Sequence, residues 1–214
     1  MRLSELSERS GVSTATIKYY LREGLLPAGR QVNATTAEYD EEHLRRLRLV
    51  RAMTQVGRVP VATVREVLRH VDDESLGRTV RLGAAVWALP QAPEPDEEDE
   101  YVRAAHREVT ALLDRLGWHH AKSLSALSPA YRSLVTAVAA FRRLGYDWGA
   151  EQLAPYAELM HRTAVLDLDN METHPAEAEQ VEFAVLGAIL NEPALRALHR
   201  LAQEEESTRR YGLD

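Results

Sequence analysis

Apolar residues recur at helical spacing along most of the chain, beginning with two short segments separated by a turn. Leu3 and Leu6 fall on one face of the first segment, and a turn over residues 11–13 follows it. The second segment, over residues 14–22, ends just before Gly24, a residue that suits the left-handed end of a helix. Two short helices joined by a glycine-containing turn are typical of a helix-turn-helix.

The pattern changes briefly and then returns to helix before residue 73. Residues 30–39 show weak strand character and predict a small hairpin. An amphipathic helix is predicted from Glu41 to about Val56, and another over residues 61–71, where the apolar positions are again spaced three and four apart. We therefore expect a first domain over residues 1–73.

The remaining residues predict helices alone, so the fold class is all-α with one small hairpin. A helix over 74–89 is followed by a linker over 90–100 that contains three prolines and an acidic run. We assign residues 74–117 to a connecting and dimerisation segment and residues 118–214 to a helical C-terminal domain that senses an effector. The further helices are predicted over 101–116, 131–144, 150–171 and 176–206.

Charge is distributed unevenly between these parts. The whole chain has a net charge of −7, but residues 1–73 carry +2 and residues 74–214 carry −9. Such asymmetry is typical of a nucleic-acid-binding module joined to an acidic domain. The absence of cysteine excludes disulfides and thiolate metal sites, and no apolar stretch is long enough to span a membrane. With no secretory signal pattern, we expect a cytoplasmic protein.

The first third of the chain resembles the MerR family of bacterial transcriptional regulators. Four stretches carry the resemblance in order and spacing: Gly11 to Ser13, Ile17 to Pro27, Tyr39 to Leu47 and Val64 to Leu68. The resemblance implies a winged helix-turn-helix, in which the hairpin forms the wing. It also implies a homodimer, paired by a helix that follows the DNA-binding module as an antiparallel coiled coil.

The resemblance further implies the partners and the mechanism. Such regulators bind double-stranded promoter DNA in an overlong spacer and distort it, so that RNA polymerase engages both promoter elements. Two positions depart from the family pattern. Lys18 stands where arginine is usual, and Ala37, within the run Thr35 to Glu38, stands where the wing usually has arginine. Arg30 could substitute from the other side of the hairpin.

The candidate DNA-binding residues lie on the second helix and the wing. Thr14, Thr16 and Lys18 are expected at base edges in the major groove, because hydroxyls and lysine can bond there. Others are expected at phosphates, which position the protein. Tyr20 fits the core equally well. The full set is Ser13, Thr14, Thr16, Lys18, Tyr19, Tyr20, Arg22, Arg30 and Tyr39.

A stripe of apolar residues over the helix 101–116 is the candidate dimer seam. The same spacing fits a helix packed in the core of its own domain, and the helix over 74–89 is a rival seam. The stripe consists of Tyr101, Ala105, Val109, Leu112 and Leu116.

Aromatic residues concentrate in the C-terminal part and could line a pocket for a small organic effector, although helical packing explains them equally well. They are Trp118, Tyr131, Tyr146, Trp148 and Tyr156. The eight histidines lack chelating spacing, so we expect no metal site and no cofactor. No catalytic motif is present, and we expect no enzyme. Two alternatives stay open: a ligand-independent regulator that recruits a protein partner, and an accessory protein that bends DNA.

Overall fold

The computed structural model describes residues 1–33, 36–91 and 93–212. It confirms the all-α class with one small hairpin. The elements are α1 (Leu3–Ser10), α2 (Thr14–Arg22), β1 (Arg30–Asn33), β2 (Thr36–Glu38), α3 (Glu41–Arg51), a π-helical extension of α3 (Ala52–Val56), α4 (Val61–Asp72), α5 (Arg78–Trp87), α6 (Glu100–Leu116), α7 (His119–Ser123), α8 (Pro129–Arg143), α9 (Ala150–Glu172) and α10 (Glu177–Tyr211). None of the helices in the described ranges is long and apolar enough to cross a bilayer.

The chain forms two compact units whose boundaries differ from the predicted domains. The first unit contains residues 1–89 together with the chain from His174 onward, and the second contains residues 90–173. The predicted boundary at residue 118 therefore has no counterpart, and the predicted C-terminal domain is divided between the two units. The reason is that α10 returns to the helices at the start of the chain and shares their core.

The first unit is built around the turn between α1 and α2. Gly11 adopts φ 64°, in the left-handed region that glycine enters at little cost. The Ser7 hydroxyl donates a 2.6 Å hydrogen bond to the Val12 carbonyl across this turn. Ile17 and Leu47 are fully buried, so α2 and α3 share one apolar core.

A two-stranded antiparallel hairpin follows α2. Arg30 pairs with Glu38 and Gln31 with Ala37, and the register shifts between Gln31 and Asn33. Thr35, which was predicted to belong to the wing, lies outside the described residues. The charged terminus of Met1 donates a 2.6 Å hydrogen bond to the carbonyl of Tyr39, which holds the end of the hairpin against the start of the chain.

The N-terminal half of α10 packs against this module with both apolar and charged contacts. Val181, Val185 and Ile189 belong to the same core cluster as the buried residues of α3 and α4. The Arg46 guanidinium, 7% exposed, forms an ion pair with Asp72 and lies 3.4 Å from Glu182. These contacts join the end of the chain to the helix-turn-helix module.

The second unit is a separate helical assembly. Its core lies between α6 and α8, where Val102, Ala105 and Val109 meet Val135 and Val138. α9 packs beside α6. Three ion pairs link α6 and its cap to other parts of this unit: Arg142 with Glu108 at 2.8 Å, Lys122 with Asp114 at 2.6 Å, and Arg143 with Asp99.

Candidate nucleic-acid interface

Helix α2 begins with a side-chain cap. The Ser13 hydroxyl accepts a 3.1 Å hydrogen bond from the backbone N–H of Thr16 and lies 2.8 Å from the Thr16 hydroxyl. Such a cap satisfies one of the backbone donors that a helix leaves free at its start. The first turn of α2 is therefore fixed before any partner binds.

Arginines from two other helices hold the end of α1, before the turn, and the end of α2. Arg51 of α3 donates a 2.9 Å hydrogen bond to the carbonyl of Ser10, immediately before the turn. Arg65 of α4 donates to the Glu23 carbonyl at 2.9 Å and pairs with the Glu23 carboxylate at 2.6 Å. The two arginines thus hold the chain just before the turn and at the C-terminal end of α2, which leaves the outer surface of α2 uncovered.

The predicted contact residues on this outer surface form a stripe. Thr14, Lys18 and Arg22 are spaced four residues apart and all are exposed. The stripe is about 12 Å long at 1.5 Å per residue, which is about the width of the major groove. Within residues 1–33, 36–91 and 93–212, neither Lys18 nor Arg22 has an ion-pair partner. Their charges are free to meet phosphates or base edges.

Ser13, Thr16 and Tyr19 flank this stripe. Ser13 is exposed, Thr16 is partly buried by its hydrogen bond to Ser13, and Tyr19 is 37% exposed. Six of the nine predicted residues thus lie at exposed or partly exposed positions of α2 and its cap.

Two predicted DNA-binding residues are core residues instead. Tyr20 is 6% exposed and Tyr39 is 8% exposed, and both belong to the core cluster of the first unit. The ring of Tyr39 packs edge-on against His43 at a centroid distance of 5.1 Å. For Tyr20 the structure thus favours the core position that fitted it equally well, and Tyr39 is likewise a core residue and not part of the exposed surface of α2.

The wing has a different electrostatic character from α2. Arg30 is exposed but pairs with Glu38 on the neighbouring strand. This pairing partly neutralises the one cation that we expected to replace the missing wing arginine. The main positive feature of the interface is therefore α2 rather than the hairpin.

Sequence reasoning missed the two arginines that orient α2. Arg51 follows a run of alternating arginines and leucines, and Arg65 lies in a stretch quoted only for its family resemblance. Both helices carry several charged residues, and nothing in the spacing of Arg51 or Arg65 reveals a carbonyl partner more than 40 residues away.

Known proteins resemble both the first 71 residues and the whole chain. The family model described as "MerR HTH family regulatory protein" matches residues 1–71. The crystal structure of SCO5550 from Streptomyces coelicolor A3(2), a protein assigned as a transcriptional regulator, is 68% identical in sequence. It superposes with a TM-score of 0.87 over 100% of this chain and 99% of that one. The chain belongs to the MerR family of bacterial transcriptional regulators.

Two further transcriptional regulators resemble a short part of the chain. The chain is 34% identical over 50 residues to the HTH-type transcriptional regulator ZntR homolog of Haemophilus influenzae. It is 28% identical over 57 residues to the HTH-type transcriptional regulator AdhR of Bacillus subtilis. The matches cover 23% and 27% of this chain, and 37% and 41% of those regulators. These relatives support a DNA-binding regulator, and the chain spans less than half of the length of either one.

The predicted dimer seam on α6 lies inside the second unit of this MerR-family protein. Ala105 and Val109 are fully buried, and Leu112 is 3% exposed. Tyr101 and Leu116 are partly buried. Because α8 of the same chain covers this stripe, it is not free to pair with a second copy, and the alternative interpretation as a core-facing stripe describes it correctly.

The predicted aromatic residues are divided among three places. Tyr146, Trp148 and Tyr156 cluster with Phe141, and the rings of Phe141 and Trp148 stack at 4.5 Å. Tyr131 instead lies 3.0 Å from the Nδ1 atom of His106, and the ring of Trp118 lies 6.2 Å from that of His161. A single pocket lined by all five residues was a wrong prediction. Over the parts of the chain that are described, no group of three or more histidines or carboxylates is arranged to hold a metal ion.

Proposed function

We propose that the protein binds a two-fold-related promoter operator as a homodimer and distorts it to alter transcription, with RNA polymerase as its indirect partner. The observation that carries this proposal is the uncovered stripe of Thr14, Lys18 and Arg22 on a helix fixed at both ends. A helix held in this way can enter the major groove without rearranging. Distortion of the promoter follows from membership of the family, in which contact energy offsets the cost of deforming the duplex.

Dimerisation requires a surface other than α6, and the distal half of α10 provides one. Within the first unit, Val181, Val185 and Ile189 of α10 are buried. Leu190, Ala194 and Leu198 each follow one of them by nine residues, which is two and a half turns. The second series therefore lies on the opposite side of the helix, facing away from the module that the first series contacts.

This opposite stripe is exposed and apolar. Leu198 and Leu201 are 60% and 58% exposed, and Leu195 beside them is 36% exposed. The helix from Leu190 to Tyr211 is about 33 Å long at 1.5 Å per residue, which is long enough for a helical pair. We propose that a second copy of the chain covers this stripe.

The charges beside the stripe favour an antiparallel pair. Arg196 and Arg200 come first along the helix, and an acidic run over residues 204–206 follows. In an antiparallel arrangement the basic part of one copy lies opposite the acidic part of the other, whereas a parallel arrangement brings like charges together. Antiparallel pairing also gives the two-fold symmetry that a palindromic operator requires.

The dimer surface can be tested by changing exposed leucines to glutamate. We expect the wild-type chain to have twice its sequence mass in light scattering after size-exclusion chromatography. The double variant Leu198→Glu, Leu201→Glu should be a monomer, because charge at the centre of an apolar helical pair opposes its burial. Leu127→Glu, which changes another leucine that is 66% exposed, is the matched control. A double variant that remains a dimer would place the interface elsewhere.

Selection of bound fragments tests the regulatory function itself. The full-length chain is mixed with fragments of the source genome at about 0.15 M salt, and the retained fragments are sequenced. We expect an imperfect palindrome between two promoter elements. Recovery of recombination sites would instead favour the DNA-bending accessory function. Retention without any preferred sequence would contradict a specific regulator.

We also propose that a small organic effector controls this activity through the second unit. The support is chemical: the exposed aromatic residues Tyr146 and Tyr156 and the stacked pair Phe141 and Trp148 offer flat apolar surface in one place. Ligand sites in proteins combine such surface with a small number of polar groups.

A further inference from the structure

A cleft in the second unit combines arginines with tyrosines. Its volume is about 520 Å³, and α6 and the segment after α8 form its walls. Arg103 and Arg107 come from successive turns of α6, and Arg142 lies near the end of α8. Such a volume lies within the range of pockets that hold small organic molecules.

The cleft is cationic within an acidic unit. Residues 90–173 contain eight basic and fourteen acidic residues, a net charge of −6. The cleft nevertheless has three arginines against two carboxylates, those of Glu100 and Asp147. Clustering of cations against the average charge of a unit indicates a site for an anion.

The three arginines differ in whether the guanidinium already has a hydrogen-bond or ion-pair partner. Arg142 pairs with Glu108 at 2.8 Å and with Asp147 at 3.4 Å, and Arg103 donates to the carbonyl of Glu98. Arg107 is exposed and has no hydrogen-bond or ion-pair partner among residues 1–33, 36–91 and 93–212. Its guanidinium is therefore available to bind a carboxylate through two parallel hydrogen bonds.

The tyrosines of the cleft provide flat apolar surface. Tyr101 lies on the α6 wall with Arg143 5.5 Å from its ring centroid. Tyr146 lines the other side and is 62% exposed. The ring of Tyr146 also meets Phe141 edge-on at 6.5 Å, so this wall of the cleft adjoins the stacked aromatic cluster. Aromatic rings favour an aromatic ligand through stacked or edge-on contacts.

We propose that this cleft binds a small aromatic carboxylate, with Arg107 pairing the carboxylate and Tyr146 contacting the ring. The cleft would then be the site of the proposed effector, and its regulatory role rests on the proposed function. Its ligand binding is a property of the free protein and does not depend on DNA.

Titration calorimetry on the full-length chain without DNA tests this assignment. The probes are 2-naphthoate, its uncharged amide and inorganic phosphate. We expect 2-naphthoate to bind about tenfold or more tightly than either other probe, because only it supplies both the charge and the ring. Comparable binding of the amide would overturn the role of the arginines, and comparable binding of phosphate would overturn the role of the aromatic rings.

Two arginine variants on the same helix locate the site. Arg107→Gln should weaken 2-naphthoate binding about tenfold. Arg115→Gln changes another exposed arginine of α6, two turns away and outside the cleft, and should leave the affinity unchanged. Absence of saturable binding, or equal loss in both variants, would overturn the proposal. Calorimetry without DNA and the selection of DNA fragments are separate experiments. The protein could therefore bind 2-naphthoate and fail to select an operator, or select an operator and fail to bind 2-naphthoate.

Discussion

At the scale of single residues, the interface separates side chains that contact DNA from side chains that orient the reading helix. Lys18 and Arg22 have uncovered charges, whereas Arg51 donates to the Ser10 carbonyl at the end of α1 and Arg65 to the Glu23 carbonyl at the end of α2. Lysine provides a point charge with rotatable donors rather than a planar fork, so its base contact is less restricted in geometry than that of arginine.

Base-reading and phosphate-binding residues should respond differently to truncation. Lys18→Ala is expected to cost about 1–3 kcal/mol on the best operator and to relax the preference at one base-pair position. Arg22→Ala should weaken binding to all sequences alike and lower the salt dependence, because a phosphate contact carries no sequence information. We would measure the affinity of each protein for a panel of operators that differ at single positions, with Lys122→Ala in the other unit as the control. The pattern of losses separates a base contact from a phosphate contact. If Lys18→Ala binds with the same base preference as the wild type, Lys18 does not contact a base edge.

The limit of sequence reasoning is visible in the two tyrosines. The order and spacing of the motif that contains them indicate the helix-turn-helix. The exposure of Thr14, Lys18 and Arg22 follows from helical periodicity. The burial of Tyr20 and Tyr39 could not be deduced in the same way, because a tyrosine has an apolar ring and a polar hydroxyl and fits either environment. The packing of both rings in the core cluster of the first unit, with Tyr39 edge-on to His43, decides the question.

At the scale of elements, α10 changes its role along its length. Its first half carries Val181 and Val185, which are fully buried, and its second half carries Leu198 and Leu201, which are exposed. Periodicity predicts a helix in both halves. It does not tell which of the two apolar series meets the same chain, because a buried face has the same pattern whatever covers it. The stripe on α6 is ambiguous in the same way, because its spacing fits a dimer seam and a core-facing helix equally well.

The two halves of α10 should differ in their effect on stability. Val185→Ala is expected to lower the free energy of unfolding of the first unit by roughly 1–3 kcal/mol, because it removes two buried methyl groups and leaves a cavity. Leu198→Ala should change the stability of the monomer by less than about 0.5 kcal/mol, since its side chain is exposed there. Both changes are compared by chemical denaturation in a Leu201→Glu background at a protein concentration where light scattering gives the monomer mass. A loss in Leu198→Ala as large as that in Val185→Ala would contradict the division of roles.

The charged contact between α10 and the DNA-binding module should make stability depend on pH. Burial raises the pKa of Glu182 above its ordinary value of 4.5, against the opposing effects of Arg46 and Arg45. A carboxyl with a raised pKa binds its proton more tightly in the folded chain. Its contribution to stability is therefore complete below about pH 4.5 and is lost as the pH rises through the raised pKa.

The variant Glu182→Gln has no titrating carboxyl at this position, so comparing it with the wild type shows whether Glu182 lowers or raises stability as the pH rises. Relative to the variant, the wild-type chain should lose thermal stability between about pH 4 and pH 8, because only the wild type must ionise a buried carboxyl. Melting temperatures of both proteins across this range give the comparison. A wild type that gains stability over the variant as the pH rises would mean that Arg46 outweighs the cost of burial.

At the scale of the whole molecule, the chain places a DNA-reading module and its proposed pairing helix in one compact unit. The helix-turn-helix and α10 share a core and the ion pairs of Arg46, so a pair of α10 helices would carry two reading helices as fixed attachments. The second unit folds between them in sequence and has its own core. The fold class and the reading helix were predictable from the sequence. The return of α10 was not, because it depends on contacts between residues more than 100 positions apart.

Footprinting of the full-length chain on its best genomic site tests the central claim most directly. If two copies present α2 to the duplex, hydroxyl radicals should reveal two protected half-sites on one face, about 34 Å apart from centre to centre and related by a two-fold axis. The dimer-breaking variant Leu198→Glu, Leu201→Glu should protect a half-site weakly at much higher protein concentration. A single asymmetric footprint, unchanged in that variant, would contradict the account.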